Sequence, residues 1–181
     1  MKRLIIVRHG ETKENELNIC QGQEHGTLSE KGTRENEKLG LELKQFSFQT
    51  IYSSPLRRAL KTAETIQLHN PGSRIITDNR LMERHLGVLQ GQTYPRPYLE
   101  TDLYERMETI ESVAERITNF LAEINSKQFN EETIVLVSHG YVIKVLLSLL
   151  RGLPVNEFYK ISLMSNSSYA AEPFKQAIQN S

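Results

Sequence analysis

Ile5-Ile6-Val7-Arg8-His9-Gly10 and Val135-Leu136-Val137-Ser138-His139-Gly140 decide the fold class. Each is a short apolar run that ends in a turn carrying a histidine and then a glycine. Runs of this length, rich in β-branched residues and bounded by turn signals, read as buried strands. Either histidine alone reads as an ordinary loop residue with its hydrogen bonds satisfied. Two matched cases on one sheet place both imidazoles at the same edge. Each glycine lets the backbone turn sharply and come close to a ligand.

The remaining elements follow from periodicity and punctuation. Ser29 to Lys44 reads as a helix with Ser29 as N-cap and Leu39 and Leu43 on its apolar face. Ile51 to Ser53 is a short strand. A helix then starts at Ser54-Pro55, with Pro55 expected at the first helical position, and runs to Asn70-Pro71-Gly72. Arg74 to Thr77 is a third strand, Ile110 to Ile124 an amphipathic helix and Thr133 to Val137 a strand. Tyr141 to Leu150 is a helix stopped by Gly152 and Pro154. Ile161 to Leu163 and Ser168 to Ala171 are candidates for a last strand. Residues 84–107 are irregular, with Pro95, Pro97 and three tyrosines, Tyr94, Tyr98 and Tyr104. These tyrosines suit either a lid over a ligand or a hydrophobic clasp that holds the loop. Strands that alternate with helices give an α/β fold with a mainly parallel central sheet. Ligands of such sheets collect at the carboxyl ends of the strands.

Composition narrows the function. The 181 residues carry 22 basic and 22 acidic side chains, a net charge of zero. A nucleic-acid or anionic-membrane surface would show as an excess of Lys and Arg, so neither partner is expected. The single cysteine, Cys20, excludes an intrachain disulfide and a Cys-rich zinc site. The apolar stretch at the N-terminus is too short for a secretory signal, and Val142 to Leu150 is too short to span a bilayer. The expectation is one cytoplasmic domain over residues 1–181.

Arg8 precedes the first histidine, and Arg58 stands near the start of the second helix. Helix N-termini attract anions, and the planar fork of Arg matches phosphate oxygens. Arg57 reads as a solvated neighbour. His25, His69 and His85 read as surface or loop residues, and Cys20 as packing. No His-Glu-x-x-His spacing, Gly-Lys-Ser/Thr loop or Gly-x-Gly-x-x-Gly occurs, so metal, nucleotide and dinucleotide readings lack an anchor.

Arg8-His9-Gly10-Glu11-Thr12, followed by Asn15 and Gln21-Gly22, resembles the signature of the histidine phosphatase superfamily, phosphoglycerate mutase-like branch. Leu28 to Gly32, Ser53-Ser54-Pro55-Leu56-Arg57-Arg58-Ala59 with Thr62-Ala63, Leu81-Met82-Glu83-Arg84 with Gly87 and Gln90-Gly91, and Val137 to Gly140 resemble further blocks of that family, in order. The chain departs from the family pattern at Gln23 to Thr27 and at Ile110-Glu111-Ser112.

The resemblance implies a three-layer α/β/α sandwich, with residues 84–107 as a short cap. It implies His9 as the nucleophile that forms a phosphohistidine. Arg8, Arg58 and His139 would surround the phosphoryl group, and Glu83 would be the proton donor. Asn15, Gln21, Gly22 and Gly140, with Arg8 and Arg58, fall on substrate-contacting positions. Neighbouring arginines should keep His9 neutral. No metal and no cofactor is implied, and the ligand is a small phosphate ester or inorganic phosphate. The expected activity is that of a phosphatase on a small metabolite. A phosphoglycerate mutase-type isomerase, a non-catalytic relative and a protein-phosphohistidine phosphatase are the alternatives. Residues 84–107, 24 positions without a lysine, are short for the basic cap of the resembling mutases.

Overall fold

The structure, a computed structural model, describes residues 2–94, 103–127 and 133–174. Four strands run parallel: β1 (Lys2–Arg8), β2 (Thr50–Ser53), β3 (Arg74–Thr77) and β4 (Thr133–Ser138). A fifth, β5 (Tyr169–Phe174), joins β1 antiparallel, and the order is β3-β2-β4-β1-β5. β4 lies in the middle with every residue buried, as the apolar run Ile134 to Val137 demands of a strand covered on both faces.

Alternation along the strands sorts the core into two halves. Ile5, Val7, Ile51, Val135 and Val137 face α2 (Glu30–Leu43) and α3 (Arg57–His69), meeting Leu39, Leu43, Ala63 and Ile66. A four-residue helix, α1 (Lys13–Glu16), precedes them. Leu4, Ile6, Tyr52, Ile134 and Leu136 face α4 (Ile110–Ser126) and α5 (Gly140–Leu150), meeting Val113, Ile117, Phe120, Val142 and Leu146. The result is the expected three-layer sandwich. Side-chain caps fix the starts of α2 and α4. Ser29 accepts from the Gly32 N–H, and Thr109 accepts from the Ser112 N–H.

Three expectations are corrected. Pro55 is not the first helical residue. Ser54 Oγ accepts the Leu56 N–H at 3.2 Å, the chain stays extended through Leu56, and α3 starts at Arg57. Ile161 to Leu163 is not a strand. Ile161 caps a 3-10 turn and is buried against the core, while Leu163 is largely exposed. The last strand instead spans Tyr169–Phe174, beginning one residue after Ser168 and running through Pro173. A missing N–H is tolerated there because β5 is an edge strand.

The described ends of the segment 84–107, at 84–94 and 103–107, meet at a bridge between Leu86 and Met107, and another bridge joins Thr93 to Ile19. Cys20, Leu86 and Met107, with Leu89 and Tyr104, form a small separate core beneath this segment. Tyr104 thus serves as a clasp, and Cys20 is packed as expected. Pro95, Pro97 and Tyr98 lie outside the described residues. No helix among the described residues is long and apolar enough to cross a membrane.

Phe120 is fully buried, edge-on to Tyr52 at 5.3 Å between centroids, with the Arg80 guanidinium over its ring. Phe120→Ala should lower unfolding free energy by about 3–5 kcal/mol. Denaturant titration checks it, and a loss below about 1 kcal/mol would contradict this packing.

Candidate active site

Every parallel strand delivers a polar residue to the same sheet edge. Arg8 ends β1 and His9 follows it. Ser54 and Arg58 follow β2, Glu83 follows β3, and His139 follows β4. The two imidazoles meet with ring centroids 5.0 Å apart, both buried.

His9 Nδ1 lies 2.8 Å from the Gly10 carbonyl oxygen, and Nε2 accepts from Arg58 Nε at 3.2 Å. Both contacts select the tautomer with the proton on Nδ1 and a lone pair on Nε2. Burial, then the charges of Arg58 and Arg8, holds the His9 imidazole well below its ordinary pKa, so it is neutral. The turn itself is locked. The Gly10 N–H and Asn36 Nδ2 both donate to Thr62 Oγ1 at 3.0 Å, and that hydroxyl donates to the Arg58 carbonyl at 2.9 Å. A Cβ on Gly10 would sit 2.7 Å from Asn36 Nδ2, so the glycine is required by close approach.

Arg58 is 1% exposed, whereas Arg57 is exposed. The Arg58 guanidinium donates to the carbonyls of Gly22 (2.8 Å), Glu24 and His25. Burial pushes its pKa down to about 10, which leaves it charged at neutral pH. Arg8 donates to the Met164 carbonyl and is lowered by burial, with Glu83 and Tyr94 opposing.

His139 Nε2 lies 2.8 Å from Ser54 Oγ. Its Nδ1 is buried and has no hydrogen-bond partner among the described residues. Burial, then Arg58 and His9, keeps this ring neutral as well.

Glu83 is held against the start of α5. Its carboxylate accepts the Arg84 N–H at 2.8 Å and the Tyr141 and Val142 N–H groups at 3.3 Å. Gly140, the first residue of α5, leaves room there. A Cβ would fall 2.8 Å from Leu163 Cδ1 and 3.4 Å from the Arg8 guanidinium.

Asn15 stands on α1, a helix that the sequence reading does not foresee. Its Oδ1 accepts from the Thr12 N–H and hydroxyl in a capping box. The amide NH2 is therefore the end presented to a ligand. Arg8, His9, Asn15, Gln21, Gly22, Arg58, Glu83 and Gly140 all line one pocket of about 110 Å³, and His139 lies beneath it. Every residue expected at the site is thus brought together.

Leu86, Tyr94, Tyr141 and Leu163 form the rest of the wall. Tyr94 belongs to the irregular segment singled out above. Leu86, Tyr141 and Leu163 carry no sequence signal, because a loop or helix-start residue has no period to mark it.

Residues 4–176 match the histidine phosphatase superfamily (branch 1). The chain is 34% identical over 161 residues to the uncharacterized phosphatase PhoE of Bacillus subtilis, covering 84% of this chain and 79% of that protein. It is 30% identical over 187 residues to phosphoserine phosphatase 1 of Hydrogenobacter thermophilus, covering 94% and 85%. Among solved structures, the mycobacterial glucosyl-3-phosphoglycerate phosphatase in complex with VO3 superposes with a TM-score of 0.85 at 30% identity, over 94% of this chain and 90% of that one.

Two buried neutral imidazoles make stability depend on pH. Once unfolded, each takes up a proton near pH 6.5, so below that value the unfolded chain binds more protons and folding is disfavoured. The denaturation midpoint should fall between about pH 6.5 and 5.5, less steeply in His139→Gln. An identical slope in that variant would contradict a buried, neutral His139.

Proposed function

The chain belongs to the histidine phosphatase superfamily, branch 1, and on that premise we propose that it hydrolyses a small phosphate monoester through a phosphohistidine at His9. The observation that carries this reading is the His9 ring, neutral, with its Nε2 lone pair directed at Arg58 on the pocket wall.

His9 Nε2 attacks phosphorus as the ester P–O bond breaks. Glu83, protonated, gives its proton to the leaving oxygen, and the alcohol departs. The Glu83 carboxylate then takes a proton from water, whose oxygen attacks phosphorus. The P–N bond breaks, inorganic phosphate leaves, and His9 is restored. Splitting one displacement into two is the gain of covalent catalysis. Arg8, Arg58, His139 Nδ1 and the Asn15 amide supply donors to the equatorial oxygens of the phosphoryl group. Gln21, Gly22 and Gly140 complete the contacts to the substrate.

We read the reaction as metal-independent, with arginines providing the charge. Among the described residues no group of three or more His, Cys, Asp or Glu could hold a metal ion. The lone, buried Cys20 asks for no oxidising compartment, which supports a cytoplasmic setting.

His9→Ala should abolish turnover and the acid-labile phosphoprotein, and wild-type activity should survive exhaustive chelation. Phosphate release and labelling with a 32P ester read both. A label that persists in His9→Ala, or loss on chelation restored by a divalent metal, would overturn the reading. Phosphate should be released stoichiometrically from any good substrate. Isomerisation of a phosphoglycerate faster than phosphate release would replace it with a mutase.

Glu83→Gln keeps the shape and removes the proton. General acid catalysis contributes about 10²–10⁴-fold, so kcat/KM for an alkyl phosphate should fall by that order. For p-nitrophenyl phosphate, whose leaving group needs little protonation, the fall should be much smaller. Equal losses on the two esters would remove Glu83 from its role.

A further inference from the structure

Glu83 is held at its carboxylate by three N–H groups, but the backbone that carries it is held from elsewhere. It belongs to residues 82–85, an irregular stretch that follows β3 and leads into the cap. A 3-10 turn, Asn79–Leu81, precedes it, and Glu83 itself lies in no helix or strand. An acid that must reach a leaving oxygen needs a fixed backbone, since small misplacements cost large factors in rate.

Arg116 of α4 supplies most of that fixture, with Gln23 Nε2 donating to the Glu83 carbonyl at 3.1 Å. Its guanidinium donates to the carbonyls of Arg80, Met82 (2.8 Å) and Glu83 (3.3 Å). It also donates to both carboxylate oxygens of Glu108, at 2.7 and 3.0 Å. A guanidinium has five N–H donors in a fixed fork, and these contacts use all of them. Glu108 extends the clasp. Its Oε2 accepts the His85 N–H at 3.1 Å, and its carbonyl accepts Arg84 Nε at 2.7 Å. Three consecutive residues, Glu83, Arg84 and His85, are thus tied to the Arg116–Glu108 pair.

The pair is well sheltered, with side chains only 16% and 14% exposed, so its hydrogen bonds are little screened. Arg116 does not line the pocket, and its charge is matched by Glu108. Its role is therefore different from that of Arg8 and Arg58.

We propose that Arg116, paired with Glu108, is the positioning residue of the acid–base group: it fixes the backbone on both sides of Glu83 and so aims the carboxyl at the leaving oxygen. The inference rests on Glu83 being that acid–base group. Lysine cannot substitute, because an ammonium has three donors and no planar fork to span a carboxylate and three carbonyls.

The test is the leaving-group dependence of kcat/KM in Arg116→Lys and Glu108→Gln, with folding checked by thermal melting. Arg116→Lys should lower kcat/KM for an alkyl phosphate about ten-fold or more, a part of the 10²–10⁴ that a placed acid contributes. It should change p-nitrophenyl phosphate by less than about three-fold. Glu108→Gln, which keeps the partner's shape, should show the same bias to a smaller degree, and it carries the test if the lysine variant does not fold. In a Glu83→Gln background, Arg116→Lys should add almost nothing, since the proton it aims is gone. Equal losses on both esters, or full additivity with Glu83→Gln, would overturn the positioning role. If Glu83→Gln alone spares the alkyl ester, the acid–base assignment itself fails, and this inference falls with it.

Discussion

Buried positive charge that, among the described residues, no carboxylate hydrogen-bonds is the constraint on which this molecule is built. Arg58 is almost wholly enclosed, and among the described residues its hydrogen-bond acceptors are carbonyl oxygens and the His9 ring. Carbonyl dipoles solvate a cation without neutralising it. Arg8 is treated the same way through the Met164 carbonyl. Burying such charge is costly and is offset only when an anion arrives. Burial, and after it the same charge, keeps His9 and His139 neutral, and the uncancelled guanidiniums favour an anion in the pocket. Phosphate or a phosphate ester should therefore stabilise the fold as well as occupy it.

The contrast with other arginines makes the point sharper. Arg80 pairs with Asp78 and Glu123, Arg116 with Glu108, and Arg151 with Glu172. Those guanidiniums meet carboxylates and hold the structure. The pocket arginines meet carbonyls and hold their charge in reserve. One residue type serves two ends, and the acceptor it faces decides which.

Much of this was legible in the chain itself. Apolar runs that end in Arg-His-Gly and Ser-His-Gly forced two buried strands with histidines at one edge, and that placement is what the fold shows. Arg58 could be told from Arg57 because only one of two neighbouring helix residues can face the sheet edge. What stayed illegible has physical reasons. β5 contains Glu172 and Pro173, which a central strand would not accept but an edge strand does. α1 is one turn, set by the Thr12–Asn15 capping box rather than by an apolar period. The start of α3 moved because Leu56 holds an extended backbone (ψ 130°) and caps the helix in place of Ser54. Arg116 reads as one more charge on an amphipathic helix, since its meaning lies in carbonyls more than thirty residues away.

The division of the pocket explains why family and substrate are separable. The charged side is made by residues at the ends of sheet strands and at helix starts, whose positions follow from the core. The rest of the wall is made by Leu86, Tyr94, Tyr141 and Leu163, three of them from irregular segments. A change in the first group would disturb buried charge and backbone locks such as the Thr62 hydroxyl. A change in the second alters shape and polarity at the mouth, and at Leu86 also the small core it shares with Cys20 and Met107. Relatives can therefore share the fold and the anion site while their names give different esters, phosphoserine in one and glucosyl-3-phosphoglycerate in another. For this chain the described part of that wall, Leu86, Tyr94, Tyr141 and Leu163, is largely apolar and aromatic, in contrast to the charged side it faces.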